Sequence, residues 1–196
     1  MDKRQAATAA RKEQITRTAI TLLAERGYRA TTFEAICTAA GLSSKRLITY
    51  HFSGKDDLLA AVADQIVADS ERYMLAALDG VTGARELLAA VIRANVRFIA
   101  DHPQEVEALR QILLNGGLGD YERHDADSQH RLARLLEEGR RTGVFRPFDV
   151  RVMAAALRAS IDGVAPLIAG GMDPGLCADE LVEHFDRSTR AGKAER

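Results

Sequence analysis

The sequence predicts an all-α protein of about nine helices, and three features carry that prediction. Apolar residues recur every three or four positions along most of the chain. No segment alternates convincingly with period two. Glycines, prolines and Ser, Thr or Asp caps fall between the periodic runs. The composition agrees: of 196 residues, 46% are hydrophobic and 28% charged, the balance of a soluble globular chain rather than a disordered or collagen-like one. No apolar run is expected to reach the ~18–20 residues of a membrane span. The opening MDKRQAATAARKEQ has no apolar stretch to act as a signal peptide. Cys37 and Cys177 lie too far apart in sequence to suggest a disulfide framework or a zinc cage. A cytoplasmic protein with no cofactor, metal or membrane partner is the expectation.

The elements follow in order. Ile15, Ala19, Leu22 and Leu23 give the first helix one apolar face, with Gly27 at its end. Thr31-Thr32-Phe33-Glu34 reads as a capping box, with Thr31 as cap and Glu34 reaching back. Phe33, Ile36, Cys37 and Ala40 form a short second helix that stops at Gly41. Ser43 caps a third, with Leu47, Ile48 and Phe52 inward. The fourth starts at Ser53-Gly54-Lys55-Asp56 and runs to about Leu78. Leu88, Val91, Ile92 and Ile99 mark the next helix, and Pro103 suits the first turn of another. Asp127 or Ser128 caps a helix that ends at Arg140-Arg141 before Gly143. Asp149 begins one that Pro166 kinks or finishes, and Asp173-Pro174 opens the last. No internal repeat is visible.

Charge separates the two ends. Through Lys55 there are ten Lys/Arg against four Asp/Glu, a net of +6, and the remainder carries −7. A basic head on an acidic body fits a molecule that meets a polyanion at one end only. Residues 33–52 supply the shape: a short helix, a tight turn at Gly41-Leu42 and a second short helix. This is a helix-turn-helix, whose second helix fits a major groove about 12 Å wide. The small residues Ala35, Ala39 and Ala40 let the helices approach, and Ser44, Lys45, Arg46, Thr49 and Tyr50 are left outward as donors and acceptors. Arg46 is the candidate for paired contacts to guanine. The plain alternative is a helical corner that only buries a core.

The block RKEQITRTAITLLAERGYRATTFEAICTAAGLSSKRLITYHFSGKDDLL resembles the tetracycline-repressor (TetR) family of bacterial transcription regulators. The resemblance lies in Gly27-Tyr28, Ala30-Thr31-Thr32, Ala39-Ala40-Gly41, Tyr50-His51-Phe52 and Lys55 before Leu58, with a softer echo in Gly143-Val144-Phe145-Arg146 and Asp149. It implies that Thr32 and Lys55 grip phosphates, that Tyr50 and His51 flank the DNA backbone, and that Ser44, Lys45, Arg46 and Thr49 form the exposed recognition face. One departure stands out. The common pattern has one residue fewer between the turn glycine and the Phe, with an aromatic directly after the inward aliphatic; here Thr49 follows Ile48.

The resemblance also implies the architecture: a helix-turn-helix domain over 10–56, then a helical ligand-binding and dimerisation domain over 57–190. The partners expected are double-stranded operator DNA, a second copy of the chain, and an unidentified small-molecule effector that releases a repressor from a near-palindromic operator. Met153, Leu157, Ile161 and Val164, with Leu181, Val182 and Phe185, give the last two helices stripes to bury in a dimer interface or in the chain's own core. Asn95, His102, Asn115 and Asp162 are polar residues in or beside apolar helices that could line an effector pocket, though caps or surface groups explain them as simply. His124, Asp125, Asp127 and His130 match no two-histidine metal spacing, and Cys37 reads as core filler. No Ser–His–Asp order, phosphate loop or glycine fingerprint supports an enzyme. The competing function is a helical ligand-binding or protein-interaction module that does not bind DNA.

Overall fold

A computed structural model describes residues 3–115 and 118–191, excepting the side chains of 118–127. The described residues form nine α-helices: α1 (Lys3–Ala30), α2 (Phe33–Ala39), α3 (Arg46–His51), α4 (Lys55–Leu78), α5 (Ala84–Asp101), α6 (Pro103–Leu114), α7 (Leu118–Arg141), α8 (Val150–Ala169) and α9 (Pro174–Thr189). No strand occurs among them. Extended pairing is confined to an isolated bridge between Phe145 and Arg190.

The chain divides into two compact units, Met1–Asp69 with Pro103–Glu122 and Ser70–His102 with Arg123–Arg196. The first is larger than the head drawn from sequence. Its core joins Ile15 and Leu23 of α1, Ile36 of α2, Ile48 of α3 and Leu58 of α4 to Ala108 and Ile112 of α6. The reason α6 belongs there is visible at Gly27, where α1 breaks (φ 76°, ψ 174°). The break frees the Tyr28 N–H, which donates to the Gln111 side chain on α6 at 3.2 Å.

In the second unit α5 packs against α8 and α9. Ile92, Leu136, Leu157 and Ile161 are fully buried there, with Phe145 and Phe185 beside them. A smaller cluster gathers Val96, Cys177 and Ala178. The starts of α8 and α9 follow their caps. Asp149 accepts from the N–H groups of Arg151 and Val152, and Asp173 accepts from Gly175.

Several expectations are corrected. Helix α7 begins at Leu118 rather than at a cap near Asp127 or Ser128. Pro166 does not end α8; it sits near the C-terminus, where the helix continues to Ala169. By length and hydropathy α8 could cross a membrane, contrary to the reading that no run is apolar enough. Yet it carries Arg151, Arg158 and Asp162, and it buries Ala154, Leu157 and Ile161 in the unit's core.

The apolar stripe assigned to a dimer interface is largely consumed inside the chain. Leu157 and Ile161 are 0% exposed and Phe185 is 2% exposed. Met153, Leu181 and Val182 pack half-buried against the same cluster, and Val164 against the smaller one. Periodicity shows that a helix has a face to bury but not against which molecule.

Gly139 of α7 is held by close packing. A Cβ built there would lie only 2.2 Å from Cδ2 of the Phe145 ring. Gly139→Ala is expected to lower stability by about 1–3 kcal/mol despite alanine's better helix propensity, read as the urea midpoint shift at unchanged m-value.

Candidate nucleic-acid interface

The first unit's core holds α3 by one side. Ile48 is 0% exposed and Phe52 is 1% exposed, one helical turn apart, so the opposite side faces solvent. Helix α2 stops by a closed hydrogen-bond pattern: Leu42 N–H donates to Cys37 C=O at 2.9 Å and Gly41 N–H to Thr38 C=O at 3.2 Å. This is a Schellman arrangement, and Gly41 supplies its left-handed residue at φ 63°. Leu42 packs half-buried on the core, and the Cys37 thiol donates to Leu42 C=O at 3.3 Å, which fits the filler role. From α1 the Gln14 amide donates to Ala40 C=O at 3.0 Å, tying the turn to the first helix.

Three local assignments change. The cap of α2 is Thr32, whose hydroxyl oxygen accepts from Ala35 N–H at 3.1 Å, while Thr31 turns inward to Gly27 C=O. The oxygen that accepts at the start of α3 belongs to Ser44, not Ser43, and takes the Arg46 N–H at 3.1 Å. Leu47 points outward and is 36% exposed. The six residues between α2 and α3 lengthen the turn, and Ile48 keeps the inward place.

Ser44, Lys45, Arg46, Thr49 and Tyr50 are exposed, and His51 and Lys55 are half-buried. A surface groove of about 410 Å³ is lined by Thr31, Thr32, Phe33, Glu34, Lys45, Thr49 and Lys55. The Thr32 hydroxyl accepts from the backbone and keeps its own proton to donate. The Lys55 ammonium donates to Tyr28 C=O at 2.6 Å and stands 3.8 Å from the centre of the Tyr28 ring. Tyr28 thus holds the ammonium of a groove-lining lysine, a pairing that sequence reading missed because the two residues are distant in the chain. Glu34 does not reach back as a capping box; its carboxylate pairs with Lys45.

Comparison with known proteins matches this geometry. Residues 15–62 match the model for bacterial regulatory proteins of the tetR family, a span that runs from within α1 through α2 and α3 into α4. The chain carries the DNA-binding domain of the TetR family. No curated protein sequence matches it. Solved structures share the whole fold. A tetR-family regulatory protein from Rhodococcus RHA1 is 22% identical, with 98% of this chain and 100% of that one covered at TM-score 0.79. A Saccharomonospora viridis protein in complex with choline is 23% identical, with 94% and 100% covered at 0.81. AibR, in complex with isovaleryl coenzyme A and operator DNA, is 20% identical, with 89% and 97% covered at 0.74. These identities make the likeness one of fold.

Electrostatics around α3 are mixed. Burial pulls the Lys55 ammonium below the ordinary lysine value, and Asp56 partly restores it. Burial, then Lys12 and Arg11 on α1, push the His51 imidazole down. Lys12 also stands 5.5 Å from the Phe52 ring centre, so the N-terminal half of α1 joins the basic surface. Asp57 is held below the usual carboxylate range by the Ser53 N–H and hydroxyl, which both donate to it from just before α4.

The four polar residues considered for an effector pocket do not behave alike. In the second unit Asn95 accepts from Arg158 at 3.4 Å, and Arg158 pairs with Asp162, so Arg158 joins two of the four. Asn95 also donates to Val91 C=O at 2.8 Å. His102 stacks on Phe98 at 4.3 Å between ring centres, with Tyr73 edge-on. Asn115 belongs to the first unit and donates to Gln111 C=O at 2.8 Å. His124, Asp125 and Asp127 lie outside the described side chains, and His130 is exposed.

His51 gives a pH prediction with a definite sign. Its pKa in the free protein lies below the ordinary value, so it is neutral above about pH 6.5. A phosphate beside it would raise that value, so binding would take up a proton and affinity would rise as pH falls from about 7.5 to 5.5. His51→Gln is expected to flatten the pH dependence of duplex affinity, measured by fluorescence anisotropy with a labelled duplex.

Proposed function

We propose that the chain is a homodimeric repressor that holds a near-palindromic operator and is released by a small-molecule effector bound in the unit formed by Ser70–His102 and Arg123–Arg196. That it is a DNA-binding transcription regulator follows from the TetR-family domain. The DNA-binding reading rests on one observation above all: α3 is fixed from behind by Ile48 and Phe52, so that Ser44 and Lys45 just before it and Arg46, Thr49 and Tyr50 on it are exposed on a basic head. Arg46 is proposed to read guanine in the major groove. Thr32 and Lys55 would hold phosphates at the groove edge, flanked by Tyr50 and His51.

Pairing of two copies is supported by the outer face of α8. Val152, Ala155, Ala156, Ala159, Gly163 and Leu167 recur there at helical spacing, all exposed. A Cβ at Gly163 would meet no atom within 4 Å, so packing within the chain gives no reason for a glycine there. Close approach of a second α8 does. Two-fold symmetry would set two recognition helices about 34 Å apart, one turn of duplex.

Effector gating would act through α4, a single helix from Lys55 to Leu78 that passes from one unit into the other. A ligand that favours the non-binding conformation by ~1–3 kcal/mol would weaken operator binding ~5–150-fold. Choline and isovaleryl coenzyme A, bound by two proteins of this fold, are chemically unlike, so the fold alone selects no ligand class. Arg158 with Asn95 and Asp162 is the polar group proposed to orient an effector. A cytoplasmic, non-enzymatic protein fits this role.

Selection from random duplex DNA, followed by salt titration, separates this reading from a helical module that ignores DNA. Affinity for the recovered duplex should fall steeply with log salt, and Lys55→Ala should reduce the slope by roughly one. Arg46→Ala should instead cost about 1–3 kcal/mol and relax preference at one base position. Ala156→Arg on the outer face of α8 is expected to give a monomer by analytical ultracentrifugation and to abolish tight operator binding while leaving the helical circular dichroism intact. A dimer that survives this substitution would move the interface elsewhere.

A further inference from the structure

The groove beside α3 holds an acidic group where a surface made only to attract phosphate would have none. Thr32, Thr49 and Lys55 line it with donors, and Glu34 lines it with a carboxylate that pairs with Lys45. Glu34 is the second residue of α2, and Lys45 is the residue immediately before α3. The pair therefore bridges the two helices of the motif across the lengthened turn. Both side chains are more than half exposed, at 65% and 53%, so the pair is weak and exchangeable. Lys45 accordingly has two competing partners, the neighbouring carboxylate or an acceptor on the duplex.

The consequence differs between binding modes. Sequence-independent association is driven by cations that displace counterions from phosphates. A lysine neutralised by Glu34 contributes nothing to it, and the carboxylate repels any phosphate entering the groove. In a register-matched complex a base-edge acceptor such as guanine O6 or N7 can take over from the carboxylate. We infer that Glu34 is a specificity-determining residue that withholds Lys45 from sequence-independent phosphate contacts and yields it where a base edge replaces the carboxylate. This rests on the DNA-binding reading above, and it assigns a role to an acid that contributes no attraction for DNA.

The experiment uses the full chain as wild type, Glu34→Gln, Lys45→Met and the double variant. Two probes are compared: the duplex that the wild type recovers from a random pool, and a scrambled duplex of the same base composition. Glu34→Gln should bind the scrambled duplex about three- to tenfold more tightly at low salt, with a log–log salt slope steeper by about one. The recovered duplex should gain less than about twofold, so the ratio between the two falls. In the Lys45→Met background the same substitution should change both duplexes alike. Equal gains on both duplexes in the wild-type background would overturn the inference, and so would a differential effect that survives in Lys45→Met. Failure of the DNA-binding reading looks different: the wild type would then bind neither duplex with any salt dependence.

Discussion

The function of this chain depends on how one six-residue helix is held. Helix α3 is too short to be stable alone, because a few residues cannot repay the cost of nucleating a helix. It exists because Ile48 and Phe52 are drawn completely into a core supplied by α1, α2, α4 and α6. The turn before it is fixed separately, by the left-handed Gly41 and by the Gln14 amide reaching across from α1. With the inward side settled by burial and the entry settled by hydrogen bonds, the outward side chains have little choice of direction. The side chains proposed for recognition thus stand on α3, or in the turn just before it, on a packed scaffold.

The charges on that surface are more committed than a count of lysines suggests. Lys55 already serves the Tyr28 carbonyl and ring, and Lys45 already serves Glu34. A cation with a protein partner must exchange it, or share it, to meet DNA, and the exchange costs less when the partner is solvated. The net of +6 on the head therefore describes attraction at long range. The pairings decide which cations remain available at contact distance.

Helix α8 shows a different constraint, two faces with two uses. Ala154, Leu157 and Ile161 are spent on the second unit's core, while Val152, Ala156, Ala159 and Gly163 remain on the surface. Apolar residues on both its inner and its outer face explain why the composition of this helix resembles a membrane span. A strongly periodic stripe of large residues marks the face that packs first within the chain. A quieter stripe of small residues marks where a second backbone could come close.

Much of this was legible in the sequence. The periodicity established an all-α chain, the glycines and aspartates located most helix ends, and the ordered block from Arg11 to Leu59 located the helix-turn-helix. These are local properties, set by spacing of three or four residues and by the few side chains able to cap or break a helix. What only the tertiary structure decided were relations between distant segments: α6 joining the head, Tyr28 beneath Lys55, Glu34 turning from its own helix to Lys45, and the large stripe of α8 facing inward. A helix's own sequence shows that it has a face to bury or a charge to pair. Which partner meets it is settled when the whole chain packs, because burial and electrostatic pairing depend on distance in space and not on distance along the chain.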